Sequence, residues 1–154
     1  MSTTADARAS PNAPRAEAGQ PASKLAVWSP HMLAILRIMV ALLFVEHGLV
    51  KLAHFPAANP AIPDPLPALL VAAAIIEVAG GLLVAAGLFT RIAAFICSGE
   101  MAVAYFTAHA ARGFWPAVNG GEAAILFCFL FLYLVFAGPG GWALDALFRK
   151  RNRF

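Results

Sequence analysis

Residues 33–55, LAILRIMVALLFVEHGLVKLAHF, set the strictest condition on the fold. The stretch is long and apolar enough to cross a bilayer, for which about 20 mostly apolar residues suffice. It nevertheless carries Arg37, Glu46, His47 and Lys51. A charge near the centre of a spanning helix costs roughly 2.5–3.5 kcal/mol on insertion scales, so these groups need polar partners from elsewhere in the chain. Three later apolar stretches bring them: Glu77 in the second, Glu100 and His109 in the third, Glu122 in the fourth.

The chain has 154 residues, of which 61% are hydrophobic and 12% charged. Soluble domains run about 45–50% apolar and about 25% charged, so this is an integral membrane protein. Its length gives one small domain with no soluble catalytic domain attached. The net charge of +3 does not point to nucleic acid, because the basic residues sit where membrane topology would place them. Cys97 and Cys128 fall inside apolar stretches and form no Cys-x-x-Cys, which argues against a thiol–disulfide relay. The N-terminus shows no basic patch followed by a short apolar core, so no cleavable signal is expected.

The expected fold is an all-α polytopic four-helix bundle in the membrane, with spans over residues 33–55, 66–88, 91–111 and 121–137. A disordered tail is expected over residues 1–28, the membrane domain over 29–148, and a basic tail over 149–154. The tail is rich in Ala, Pro and Ser and lacks apolar periodicity. Ser29-Pro30 reads as a helix start, with Ser as the N-cap and Pro at the first helical position. The loop AANPAIPDPLP, with four prolines, denies helix hydrogen bonds. Gly87 and Thr90 mark a tight turn, with Thr90 expected to cap the third span; Asn119 or Gly120 should cap the fourth. Eight of the eleven Lys and Arg fall in the tails and at Arg91, so both termini are expected on the cytoplasmic side of a bacterial inner membrane.

Rise per residue converts position to depth. Glu77 lies 12 residues before Phe89 and Glu100 lies 11 after it, so both carboxyls come level near mid-bilayer. His109 and Glu122 flank Trp115 and come level nearer the loops. Arg37, Phe44, Gly48, His47 and Lys51 share a stripe on the first span, while Glu46 points the other way. A mid-membrane carboxyl must be protonated or paired, and is a functional candidate by default. The expected neighbour of the two glutamates is His47, with Arg37 too near one surface and Lys51 too near the other. Plainer readings stand beside these. Glu122 suits the positive end of a helix dipole, Lys51, Arg37 and Arg91 can snorkel to the interfaces, His109 can be solvated, and the cysteines can be packing residues.

The residues also carry a resemblance. Arg37, His47-Gly48-x-x-Lys51, Glu77-x-x-Gly80-Gly81 and Gly87-Leu88-x-Thr90-Arg91 are followed by His109-x-x-x-Gly113-Phe114, Asn119-Gly120-Gly121-Glu122, Gly138-Pro139-Gly140 and Asp145. This order and spacing resembles the DoxX family of small four-helix inner-membrane proteins, over about residues 33–148. Glu46 and Glu100 lie outside the matched pattern. The resemblance implies kinship with a subunit of thiosulfate:quinone oxidoreductase and with proteins that join membrane redox or detoxification complexes.

Three functions remain open at this level. A redox subunit binding a quinone or similar small molecule would use His47, Glu77, Glu100 and His109 to exchange protons, with Arg37, Lys51, Asn119 and Glu122 as binding groups. A small-solute or proton-coupled transporter would use the same groups, although no inverted repeat or broken helix is evident. A non-enzymatic assembly or anchoring partner would need none of them. No metal is expected, since the Glu-x-x-His spacing of di-iron bundles is absent. Haem is not expected either, since it would require His47 and His109 to face one another.

Overall fold

The computed structural model describes residues 24–146, and the expected outer parts of both tails lie outside them. Helix α1 runs over Lys24–Ala53. It begins before the expected Ser29-Pro30 start and continues through Pro30. The flanking Leu25, Ala26, Val27 and Trp28 are apolar, and backbone groups near the bilayer are best satisfied within a helix. As the seventh residue of the helix, Pro30 lies beyond the first turn, and its missing N–H removes one backbone bond.

The second span is built in three pieces: α2 (Ala68–Ile75), a π-helical segment (Ile76–Gly80) and α3 (Gly81–Ala86). Gly87 ends it with φ +69°, a left-handed conformation that favours glycine. A side chain there would also meet Ala143 at 2.7 Å. The third span comprises α4 (Thr90–Ala104), a second π segment (Tyr105–His109) and a 3₁₀ turn (Ala110–Arg112). After the short α5 (Pro116–Asn119), α6 (Glu122–Ala137) forms the fourth. The first three spans are long and apolar enough to cross a membrane, whereas α6 has 16 residues, slightly short of the usual range.

Helix α1 packs along the second span, and α4 packs along α6. Small residues set the first of these contacts. A Cβ on Gly48 would lie 2.6 Å from Val78 Cγ2, and one on Gly81 would lie 2.6 Å from Val45 Cγ2, so the backbones approach closely. The two pairs join through Phe44, whose ring meets Phe131 edge-on at 4.7 Å and Phe127 at 5.6 Å. Around them Val84, Ala94, Cys97 and Leu134 complete the buried core.

The end of the bundle opposite the loops is tied by the segment that follows α6. Gly141 N–H donates to the Pro30 carbonyl at 2.8 Å, and Asp145 N–H donates to Gly87 at 2.9 Å. Fully buried Arg37 donates from Nη1 to the carbonyls of Val84 (2.6 Å) and Ala85 (2.7 Å). Its Nη2 donates to the Trp142 carbonyl at 3.1 Å. Val84 and Ala85 lie in the last turn of α3, at the end of a helix where a cation is favoured. Arg91 does the same for α6, donating to Val135 and Phe136. Thr90 is the first residue of α4 rather than its cap, and the cap comes from Asp145, whose carboxylate accepts from Phe89 N–H at 2.9 Å and Thr90 N–H at 3.2 Å.

Candidate functional site

Away from that tied end the spans diverge and enclose a cavity of about 810 Å³. All four spans and the proline-rich loop contribute to its walls. His47, Lys51, Glu77, Glu100 and His109 line it, so the structure brings together the four proton-exchange candidates and one of the four binding candidates.

At its centre Lys51 Nζ lies 2.5 Å from Glu77 Oε1 and 2.6 Å from Oε2, a two-oxygen ion pair. The Glu77 side chain is 1% exposed and that of Lys51 18%. This corrects the expectation that His47 partners Glu77 and that Lys51 lies too near the surface. The reason is the direction of side chains. They lean toward the N-terminus of their helix, so on antiparallel neighbours Lys51 and Glu77 lean toward each other. Gly48 packs on the turn from Ala74 to Val78, which sets Lys51 about one turn above Glu77, within the reach of a lysine stem.

His47 is exposed to the cavity, with Nδ1 2.8 Å from the Leu43 carbonyl. A carbonyl only accepts, so Nδ1 is the donor in this contact and Nε2 is left for other partners. The ring stands edge-on to Phe127 at 5.4 Å. Glu46 lines the same cavity, against the expectation that it faces away. The cavity wraps far enough around α1 to take in two neighbours about 100° apart. Glu100 joins the wall from α4, and its Oε2 is buried without a hydrogen-bond partner among the described residues. Glu77 and Glu100 both line the cavity, from spans 2 and 3.

At the loop end His109 Nδ1 lies 3.2 Å from the Asn119 carbonyl and 3.1 Å from Arg112 Nη2. These contacts are alternatives, because a protonated Nδ1 donates to Asn119 and an unprotonated one accepts from Arg112. Tyr105 stacks beside His109 and donates from its hydroxyl to the Phe114 carbonyl at 2.9 Å.

The other candidates fall elsewhere. Arg37 belongs to the tied end. Buried Asn119 shapes the second loop, donating from Nδ2 to Gly113 at 2.7 Å and accepting on Oδ1 from Gly121 N–H at 2.7 Å. Gly121, not Asn119 or Gly120, is the residue preceding α6, and Gly120 lines the cavity with φ +70°. Exposed Glu122 sits in the first turn of α6. Among the motif glycines, Gly80 is fixed by Cys97, whose Sγ would lie 2.6 Å from an added Cβ. Sequence reasoning missed Gly99 and the π segments. Both π segments contribute to the cavity wall, a frequent association of such bulges with functional sites.

Comparison with known proteins fits this architecture. The DoxX family model matches residues 32–110, the first three spans; the Asn119–Gly120–Gly121–Glu122 block lies beyond the match. A protein of Haemophilus influenzae described as uncharacterized is 48% identical over 136 residues, covering 84% of this chain and 99% of its own. No solved structure matches the chain. With half of its length matched by the family model and a close relative along most of the rest, the chain belongs to the DoxX family.

Proposed function

We propose that this DoxX membrane protein is the membrane subunit of a redox system and binds a quinone or similar flat, lipophilic molecule in the cavity. The observation that carries this reading is a buried Lys51–Glu77 pair inside a largely apolar, membrane-level cavity that also holds Glu100 and His47. A quinone needs an apolar enclosure for its ring and a few polar groups for its carbonyls. Lys51 can donate to a ring carbonyl, while Glu77, Glu100 and the Nε2 of His47 can exchange the protons that accompany reduction to the quinol. Electrons would come from a partner redox protein, since none of these side chains is an electron carrier. The bilayer is the bacterial inner membrane, with both termini on the cytoplasmic side and the cavity in the outward half.

Isolation of the chain in its native lipids, followed by extraction and identification of bound quinone, tests the reading. A stoichiometric quinone in the parent, lost on substituting Lys51 by Met, is the expected result. Glu77→Gln should keep the bound molecule but lose proton-coupled function, because its amide oxygen still accepts from Lys51 and an amide does not titrate. Absence of quinone together with solute flux in vesicles would replace the redox reading with transport.

A further inference from the structure

The glycines inside the described spans divide in two. Gly48, Gly80 and Gly81 each stand against a neighbouring helix, where an added Cβ would meet an atom at 2.6 Å. Gly99 does not: an added Cβ there would meet nothing within 4 Å. A glycine inside a helix weakens it relative to alanine, and contact with another described residue does not account for this one. Gly99 lines the cavity one residue before Glu100, whose Oε2 is buried without a partner among the described residues.

The packing of spans 2 and 3 explains what lies in front of Gly99. They meet at their turn and at the level of the first π segment, where Cys97 Sγ sits on Gly80. Beyond that level α2 packs on α1 and on the π segment, and the third span leans on α6. Leu69 on one side of the resulting gap, and Ile96 and Val103 on the other, are exposed and also line the cavity. The gap is therefore apolar at its rims and lies between two helices apolar enough to span a membrane, with Glu100 lining the same cavity.

We infer that the cavity is loaded sideways from the bilayer, through the gap between spans 2 and 3, by an amphiphile. Its apolar chain lies over Gly99 and its polar head meets Glu100 where that residue lines the cavity. The inference rests on the ligand-binding reading above and adds the route and the class: a molecule dissolved in the membrane, with one polar end and a chain that stays in the gap. A water-soluble solute entering from the loops would need neither the missing side chain nor the lipid-level opening.

The test is equilibrium binding to the full chain reconstituted in phosphatidylcholine vesicles. The probes are a benzoquinone carrying a decyl tail and the same head without a tail. Gly99→Leu should weaken the tailed probe about tenfold or more, by filling the space of its chain, and change the tail-less one by less than about twofold. Gly99→Ala, whose Cβ meets open space and which favours the helix, controls for folding and should shift the tailed probe less, in the same direction. Glu100→Gln should weaken both probes. Unchanged binding of the tailed probe to Gly99→Leu, or equal weakening of both probes, would overturn sideways loading while leaving the ligand reading in place. So would a loss of oligomers in Gly99→Leu without a change in binding, which would give Gly99 to a second copy of the chain. A parent protein that binds neither probe would remove the ligand reading itself.

Discussion

Asp145, beyond the last span, caps the helix that begins at Thr90. Its carboxylate takes the amide hydrogens of Phe89 and Thr90 and lies 3.3 Å from the Thr90 hydroxyl. The same residue donates its own amide to Gly87, so one aspartate closes both sides of the turn between spans 2 and 3. Asp145→Ala should therefore cost about 0.5–2 kcal/mol, the usual range for a lost N-cap, and Asp145→Asn much less. Thermal unfolding in detergent measures both. Equal losses would mean that charge, and not capping, is what the turn requires.

Removing one partner of the buried pair should be worse than removing both. Lys51→Met leaves the Glu77 carboxylate buried and uncompensated, a loss of about 3–5 kcal/mol. The double substitution Lys51→Met with Glu77→Leu should recover most of it, because no buried charge remains. Unfolding by a denaturing detergent compares the three proteins. Additive losses would show that the pair is solvated in the membrane.

Reporter fusions should place the loops opposite the termini. Fusions at Asp64 and Gly113 are expected to read as external, given the concentration of basic residues in the tails and at Arg91. A cytoplasmic signal at either loop reverses the orientation.

Both thiols should be recovered free. Cys97 is fully buried against Gly80, and Cys128 faces Ser98, whose hydroxyl donates to the Cys128 carbonyl at 2.8 Å. Alkylation of the native protein should leave Cys97 unmodified, and alkylation after denaturation should modify both. A mass two hydrogens lower, pointing to a bridge, would contradict the packing of spans 3 and 4.

The sequence carries the helices and much of the site because both depend on local spacing. Glu77 and Glu100, nearly equidistant from one turn, both line the cavity, and the small residues at Gly48, Gly80 and Gly81 mark where backbones touch. Position alone places Lys51 near the surface, since depth counted along the backbone ignores the lean of a long side chain. Arg37 shares the stripe of His47 and Lys51, yet its partners are carbonyls on two distant segments, Val84–Ala85 and Trp142. No helical periodicity encodes that meeting. The π segments have no sequence signal of their own, and Gly99 looks like any glycine until its empty surroundings are known.

The ties made by Arg37, Arg91 and Asp145 have a mechanical consequence. They join all four spans at one end. Toward the loops Lys51–Glu77 joins spans 1 and 2 and Tyr105 joins span 3 to the loop before span 4, so the two pairs of helices tilt against each other about the clamped end near Gly87 and Gly141. A helix of 16 residues is about 24 Å long at 1.5 Å per residue, so a tilt of about 5° at the clamp moves the far tip by about 2 Å. The width of the cavity mouth is thus set by small angles at the clamped end, with no side chain around the Lys51–Glu77 pair having to leave its place.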